Sequence, residues 1–206
     1  MKVTRAFLPW ILLPALLASG CTLVPERAAL DRAWFLLEIP EATVSQGEPV
    51  RVELASVRIA PELAGKGLVY RPAPYRYESD FYNEWFLNPR EHVEQVLRER
   101  WTRASAPVNL VAEAAVDDDA LRLDVLVTAL HGDLQADGPG VARAGLRVFV
   151  QGPGWTQLWN LEQSKPMANR TPVALVSALS EGVAALLEDL EGRLRTTQEI
   201  DHARDS

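Results

Sequence analysis

ALRLDVLVTALHGDLQADGPGVARAGLRVFVQGPGWTQLWNLE, residues 120–162, is the stretch whose reading decides the fold. It divides into three strand candidates, 120–135, 142–151 and 155–162, and Gly152-Pro153-Gly154 between the last two is turn chemistry. A fourth candidate, 108–115, precedes them. Strands this close in sequence, with no helix between them, are expected to pair antiparallel, because parallel pairing needs a long crossover. A predicted helix flanks the block on each side. Upstream, Asn88 is a good N-cap, Pro89 suits the first helical position, and Glu91 stands three residues after the cap, as in a capping box. Val93, Val96, Leu97 and Trp101 then make one apolar stripe, with Glu91, Glu94, Arg98 and Glu99 on the other faces. Downstream, Thr171 and Pro172 open a second helix, in which Val176, Leu179, Val183, Leu186, Leu190 and Leu194 recur every three or four residues. Residues 196–206 are polar and are expected to fray.

Before the first helix the chain reads as strand. WFLLEI at 34–39 is an apolar run stopped by Pro40, as expected of a well-buried first strand. Val50, Val52 and Leu54 alternate with Arg51 and Glu53, and the phase then shifts to Val57 and Ile59, which predicts a bulge near Ser56. Gly65-Lys66-Gly67 signals a turn. Residues 68–79 read as extended chain confined by Pro72 and Pro74 to an edge or an irregular stretch. Strands, helix, four strands, helix is the order of an α+β fold: an antiparallel or mixed sheet with two amphipathic helices packed on one face.

The first twenty residues carry Lys2 and Arg5, then an uncharged apolar run at 6–18, then Ala18-Ser19-Gly20 directly before Cys21. That is the order of a secretory leader, too short for a span that needs about 20 apolar residues and interrupted by Pro9 and Pro14. Cys21 is the chain's one cysteine, so it cannot form an internal disulfide. An ordinary leader followed by a free thiol would leave a liability in an oxidising compartment, which acylation removes. Cys21 is therefore the expected lipidation site, although Leu17 lies one place upstream of its usual position in a lipobox. The expected layout is a lipoprotein signal peptide at 1–20, a lipidated tether at 21–32, one α+β domain at 33–198 and a polar tail at 199–206. Without Lys2 and Arg5, the 21 basic residues become 19 against 28 acidic ones, a net charge of −9. That argues against a cationic nucleic-acid surface and a polybasic membrane face. Attachment is left to acyl chains, each buried CH₂ contributing about 0.8 kcal/mol.

No motif asks for catalysis, and no cofactor is expected. His92, His131 and His202 lack a spacing that shares a metal, and they read as isolated surface or strand histidines. Asp117, Asp118 and Asp119 lack the alternation of a calcium loop and read as a solvated turn. Gly138-Pro139-Gly140 and Gly152-Pro153-Gly154 are not followed by the Lys-Ser/Thr of a phosphate loop. There is no Gly-x-Ser-x-Gly elbow.

The segment YRPAPYRYESDFYNEWF at 70–86 holds seven of the chain's fifteen aromatics and all four tyrosines. Tyr75 and Tyr77 are expected to share a strand face, with Phe81, Tyr82, Trp85 and Phe86 leading into the first helix. Such rings can close the seam between sheet and helix, or Tyr70, Tyr75, Tyr77, Phe81, Tyr82 and Trp85 can face a partner protein or an acyl chain. GKGLVYRPAPYRYESDFYNEWFLNP, with the RERW of the following helix, the lipobox, WFLLEIP and VRVELASVRIAPEL, resembles the PqiC-like auxiliary lipoprotein components of ABC-type transport systems. The motif matches at the tyrosine-rich segment and at Asp80, Tyr82, Asn83 and Pro89. The resemblance implies a non-catalytic partner of transporters that carry an MCE (mammalian cell entry) subunit and move lipid through the envelope. Thr22, where inner-membrane retention commonly uses Asp, points to the outer membrane. Contact with phospholipid and a homo-oligomeric state stay open, as does the alternative of an assembly lipoprotein in a secretion or outer-membrane complex.

Overall fold

The computed structural model describes residues 31–40, 47–103, 106–112, 120–135 and 137–205, with 201–205 described by backbone alone. The leader, Cys21, the tether as far as residue 30, Asp117, Asp118, Asp119 and the side chain of His202 lie outside the described residues. Two compact units are distinguished, Met1–Asp31 and Arg32–Ser206, and every element below belongs to the second.

The strands are β1 (Ala33–Phe35), β2 (Val50–Ile59), β3 (Gly67–Ala73), β4 (Arg76–Trp85), β5 (Val108–Leu110), β6 (Leu121–Asp133), β7 (Val141–Gly152) and β8 (Trp155–Pro166). The helices are α1 (Pro89–Trp101) and α2 (Pro172–Asp205), and a 3-10 turn at Pro61–Leu63 joins β2 to β3. All eight strands form one open mixed sheet. β6 is its axis. On one edge β6 pairs antiparallel with β7 through Arg122–Gln151 to Asp133–Val141, and β7 pairs antiparallel with β8. The other edge is shared: β2 runs parallel to its first half and β3 to its end, at Tyr70–Gly132 and Arg71–Asp133. β5 lies outside β2, while β4 and then β1 lie outside β3.

The expected antiparallel pairing holds for β6, β7 and β8 and fails for β5. β5 and β6 are not neighbours, because β2 lies between them and is parallel to both. With Val50, Val52 and Leu54 buried, β2 is a central strand that needs partners on both edges. The ten residues between β5 and β6 need only step across it, about 10 Å. The bulge expected near Ser56 is present as a register shift between Leu54 and Ser56.

The core lies between this sheet and the two helices. Val52, Leu123, Val125, Val148 and Val150 meet α2 through Leu175, Leu179, Leu190 and Leu194, all fully buried. Burial of each such side chain contributes about 1.5–3 kcal/mol. At Gly182 α2 comes close to β7, where a Cβ would sit in ordinary contact with Ala144 at 3.4 Å. Asn88 caps α1 by accepting the Arg90 N–H at 3.1 Å, whereas Glu91 pairs with Arg90 rather than closing a capping box. α2 continues as helix to Asp205 through the tail expected to fray. Arg193–Asp189 at 2.9 Å and Thr196 Oγ1 donating to Gly192 O support the turns that lead into this stretch. Among the described residues no helix is long and apolar enough to cross a membrane.

Candidate functional site

The aromatic segment is the β3–β4 hairpin. Ala73 pairs with Arg76, leaving Pro74 and Tyr75 as a two-residue turn with Tyr75 at φ +62°. Tyr75 therefore does not share a strand face with Tyr77. It stands at the tip, almost wholly exposed. Proline cannot donate to the ladder, so the chain turns where strand pairing would need Pro74 to do so.

Towards its end β4 leaves the regular ladder. Gly67 pairs with Glu84 but Val69 pairs with Ser79, so residues 80–83 of β4 face a single residue of β3. Asp80 holds this bulge. Its Oδ1 accepts the backbone N–H groups of Tyr82 (2.9 Å) and Asn83 (3.0 Å), and its Oδ2 accepts the Asn83 side-chain amide (2.9 Å). A Cβ on Gly67 would lie 2.4 Å from the Asp80 carbonyl oxygen, so only glycine permits the approach. The extra residues project Phe81, 65 % exposed, and Tyr82, 39 % exposed, in an edge-to-face pair with centroids 5.3 Å apart. Arg32 lies over the Phe81 face at 5.0 Å.

The other rings divide. Trp85 is 2 % exposed and packs edge-to-face on His92 at 5.9 Å, so it belongs to the core and offers no surface to a partner. Tyr70 is half-buried beside Gly132 and Leu175; burial, aided by the Asp80 charge, pushes its phenol up to about 12. Tyr77 is half-exposed and covers His131 at 5.4 Å. The sequence offered no sign that Trp34, Leu36 and Phe86 are also exposed. The expected well-buried first strand is a three-residue edge strand, and one face of it is open.

Neither His92 nor His131 is a surface histidine. His92 Nε2 accepts the Leu37 N–H at 3.2 Å and thereby ties the chain leaving β1 to α1. His131 is buried with no hydrogen-bond partner on either ring nitrogen, and Arg71, Arg143, Asp133 and Glu62 act on it electrostatically. Burial lowers the pKa of both. The opposing pull comes from Glu99 on His92 and from Asp133 and Glu62 on His131. Burial pushes Asp133 up, but hydrogen bonds from Arg143 and Gln135 outweigh it and hold the carboxyl below its ordinary range.

A pH dependence follows. A histidine whose folded pKa is depressed binds more protons when unfolded, so stability is full above pH 6.5 and falls as pH drops through the folded value. The expected urea midpoint is flat from pH 8 to 7 and declines below 6.5, with a limiting slope of about 1.4 kcal/mol per pH unit for each histidine. His131→Phe should remove its share of the decline and leave that of His92, and an unchanged slope would assign the decline elsewhere. Among the described residues no group of three His, Cys, Asp or Glu side chains is placed to hold a metal ion. What the arrangement offers is a rigid, exposed aromatic surface on the β1–β4 edge.

A family model described as "ABC-type transport auxiliary lipoprotein component" matches residues 35–191. Among curated proteins none matches the chain. Two crystal structures share the fold. One, of an uncharacterized protein, is 16 % identical at a TM-score of 0.64, covering 80 % of this chain and 99 % of that one. The other, protein XCC0632 from Xanthomonas campestris of the DUF330 family model, is 11 % identical at a TM-score of 0.63, covering 84 % and 98 %. At these identities the likeness speaks for the fold alone.

Proposed function

We propose, on the premise that the chain belongs to the ABC-type transport auxiliary lipoprotein component family, that it is a non-catalytic, lipid-anchored periplasmic partner of an MCE-carrying lipid transporter. The observation that carries this reading is the Asp80-held bulge, which presents Phe81 and Tyr82 to solvent on a rigid frame. Exposed, well-braced aromatics suit a protein partner, because Tyr, Trp and Phe are enriched at interface cores. Cys21 supplies the anchor and Thr22 favours the outer membrane, leaving the folded domain in the periplasm. The acidic body adds no electrostatic hold on anionic lipid, so the acyl chains carry the attachment.

Affinity purification of the full-length protein from detergent-solubilised membranes tests this. It is expected to bring down an ATPase, a permease and an MCE subunit together. Cys21→Ala should leave the protein unlipidated, either soluble in the periplasm or held only by an uncleaved leader, and cleaved variant still fractionating fully with membranes would contradict the anchor. Recovery of a secretion or outer-membrane assembly complex without any transporter subunit would overturn the reading in favour of the assembly alternative.

A further inference from the structure

β1 has one strand neighbour, β4, and its other edge is free among the described residues. The Phe86 N–H donates to Phe35 O at 2.9 Å, so the backbone groups of Phe35 face β4. Those of Trp34 and Leu36, one residue to either side, point away from it. The strand is held firmly where it leaves the sheet: Leu37 N–H donates to His92, and Glu38 N–H donates to Ser180 Oγ on α2 at 3.0 Å. Between this free edge and the first turns of α2 runs a groove of about 560 Å³. Trp34, Leu36, Phe86, Val173 and Val176 give it an apolar lining. Glu38 and Glu181 add two exposed carboxylates, and no lysine or arginine among the described residues lines it.

Natural edge strands are blunted by charge, proline or cover. β1 and the residue after it instead present Trp34 and Leu36, 58 % and 45 % exposed, beside backbone groups that no described strand pairs. We infer that this groove takes an extended segment of the transport partner, apolar on one face and carrying a lysine or arginine, which adds as a further strand to the free edge of β1. The N–H and C=O groups of Trp34 and Leu36, unpaired by any described strand, call for a strand rather than a helix, since strand addition is satisfied by backbone pairing. The apolar lining receives alternate side chains of that strand, and the two carboxylates select a basic one. An acyl chain fits less well. With Trp34 and Phe86 both 58 % exposed the groove is open along its side, so hydrocarbon would stay wetted there and leave both the backbone edge and the carboxylates without partners. The inference rests on the auxiliary-component reading and names how and with what chemistry the partner docks.

The test uses the full-length protein in its own membranes, with a photoreactive benzoylphenylalanine at Val173 on the groove wall and, separately, at Phe81 on the bulge. Irradiation is expected to join both positions to the same transporter subunit. The peptide attached at 173 should be an apolar stretch containing Lys or Arg. Glu38→Lys with Glu181→Lys, both on the surface, should cut the 173 product about tenfold while leaving the melting temperature and the 81 product intact. A product at 173 with a second copy of this chain, or with lipid, overturns the inference, as does an attached peptide without a basic residue. If 81 captures the transporter and 173 captures nothing, strand addition fails while the auxiliary reading stands. If neither captures a transporter subunit, the auxiliary reading fails with it.

Discussion

Glu191→Ala is expected to cost about 3–5 kcal/mol of folding free energy, because it leaves a buried arginine without its counter-charge. Arg100 on α1 and Glu191 on α2 form a two-pronged pair, Nε to Oε1 at 2.6 Å and Nη2 to Oε2 at 2.9 Å, with both side chains about 5 % exposed or less. Trp101, fully buried, donates its indole N–H to the same Oε1 at 3.0 Å, and Arg100 Nη1 donates to the Pro40 carbonyl at 3.1 Å. One carboxylate thus fastens α1 to α2, and its arginine fastens the end of the β1 segment. Such a pair adds little net stability over an apolar replacement, yet breaking it is costly because desolvation has already been incurred. Arg100→Met with Glu191→Leu should therefore recover part of the loss, the remainder being the Trp101 indole N–H and the Pro40 carbonyl left without partners. Urea denaturation of the three proteins checks this. A cost below about 1 kcal/mol for Glu191→Ala would mean that the pair is not buried as described.

Phe81→Ala with Tyr82→Ala is expected to do the reverse: little change in stability and a large loss of partner. The two rings pack mainly on each other and under Arg32, and the bulge that carries them is held by Asp80 and by Gly67. Removing them leaves those hydrogen bonds in place, so the melting temperature should stay within a few degrees. If both rings are central to an interface, their loss together is worth roughly 3 kcal/mol, about a hundredfold in affinity. Tyr75, alone at the turn tip, should matter little when replaced by Ala. Trp85 is unsuited to the experiment, since truncating a fully buried tryptophan costs about 3–5 kcal/mol and would unfold the surface rather than probe it.

Local rules carried far in this sequence. Asn88-Pro89 and Thr171-Pro172 open helices where capping chemistry places them, and the phase shift of the second strand is the observed bulge. The α+β class follows from the order of those elements. Long-range pairing was not legible. Nothing within VNL at 108–110 says that it joins β2 rather than β6, because that choice depends on which central strand has an edge to fill. The first strand misled for a related reason. WFLLEI is apolar throughout, as a buried strand is, but the burial of Trp34 and Leu36 depends on whether anything covers the edge. Of the six rings expected at a contact surface, composition could not separate Trp85, which fills the core, from Phe81 and Tyr82, which a local bulge turns outward. The signal that separates them is Asp80, whose short carboxylate reaches the backbone two and three residues on. Glu191 gave no signal of its own. In a long helix it reads as one more solvated acid, and only the approach of Arg100 and Trp101 from another helix gives it a role.

The central claim is that the bulge on the β1–β4 edge is where the protein meets its transporter. Its most direct measurement is a binding titration of the purified full-length lipoprotein in detergent against the purified MCE subunit, run with the wild-type protein and with Phe81→Ala/Tyr82→Ala. The account predicts saturable binding for the wild type and binding about a hundredfold weaker for the variant, with both proteins equally folded. Equal affinities for the two, or no binding by a folded wild type, would contradict it.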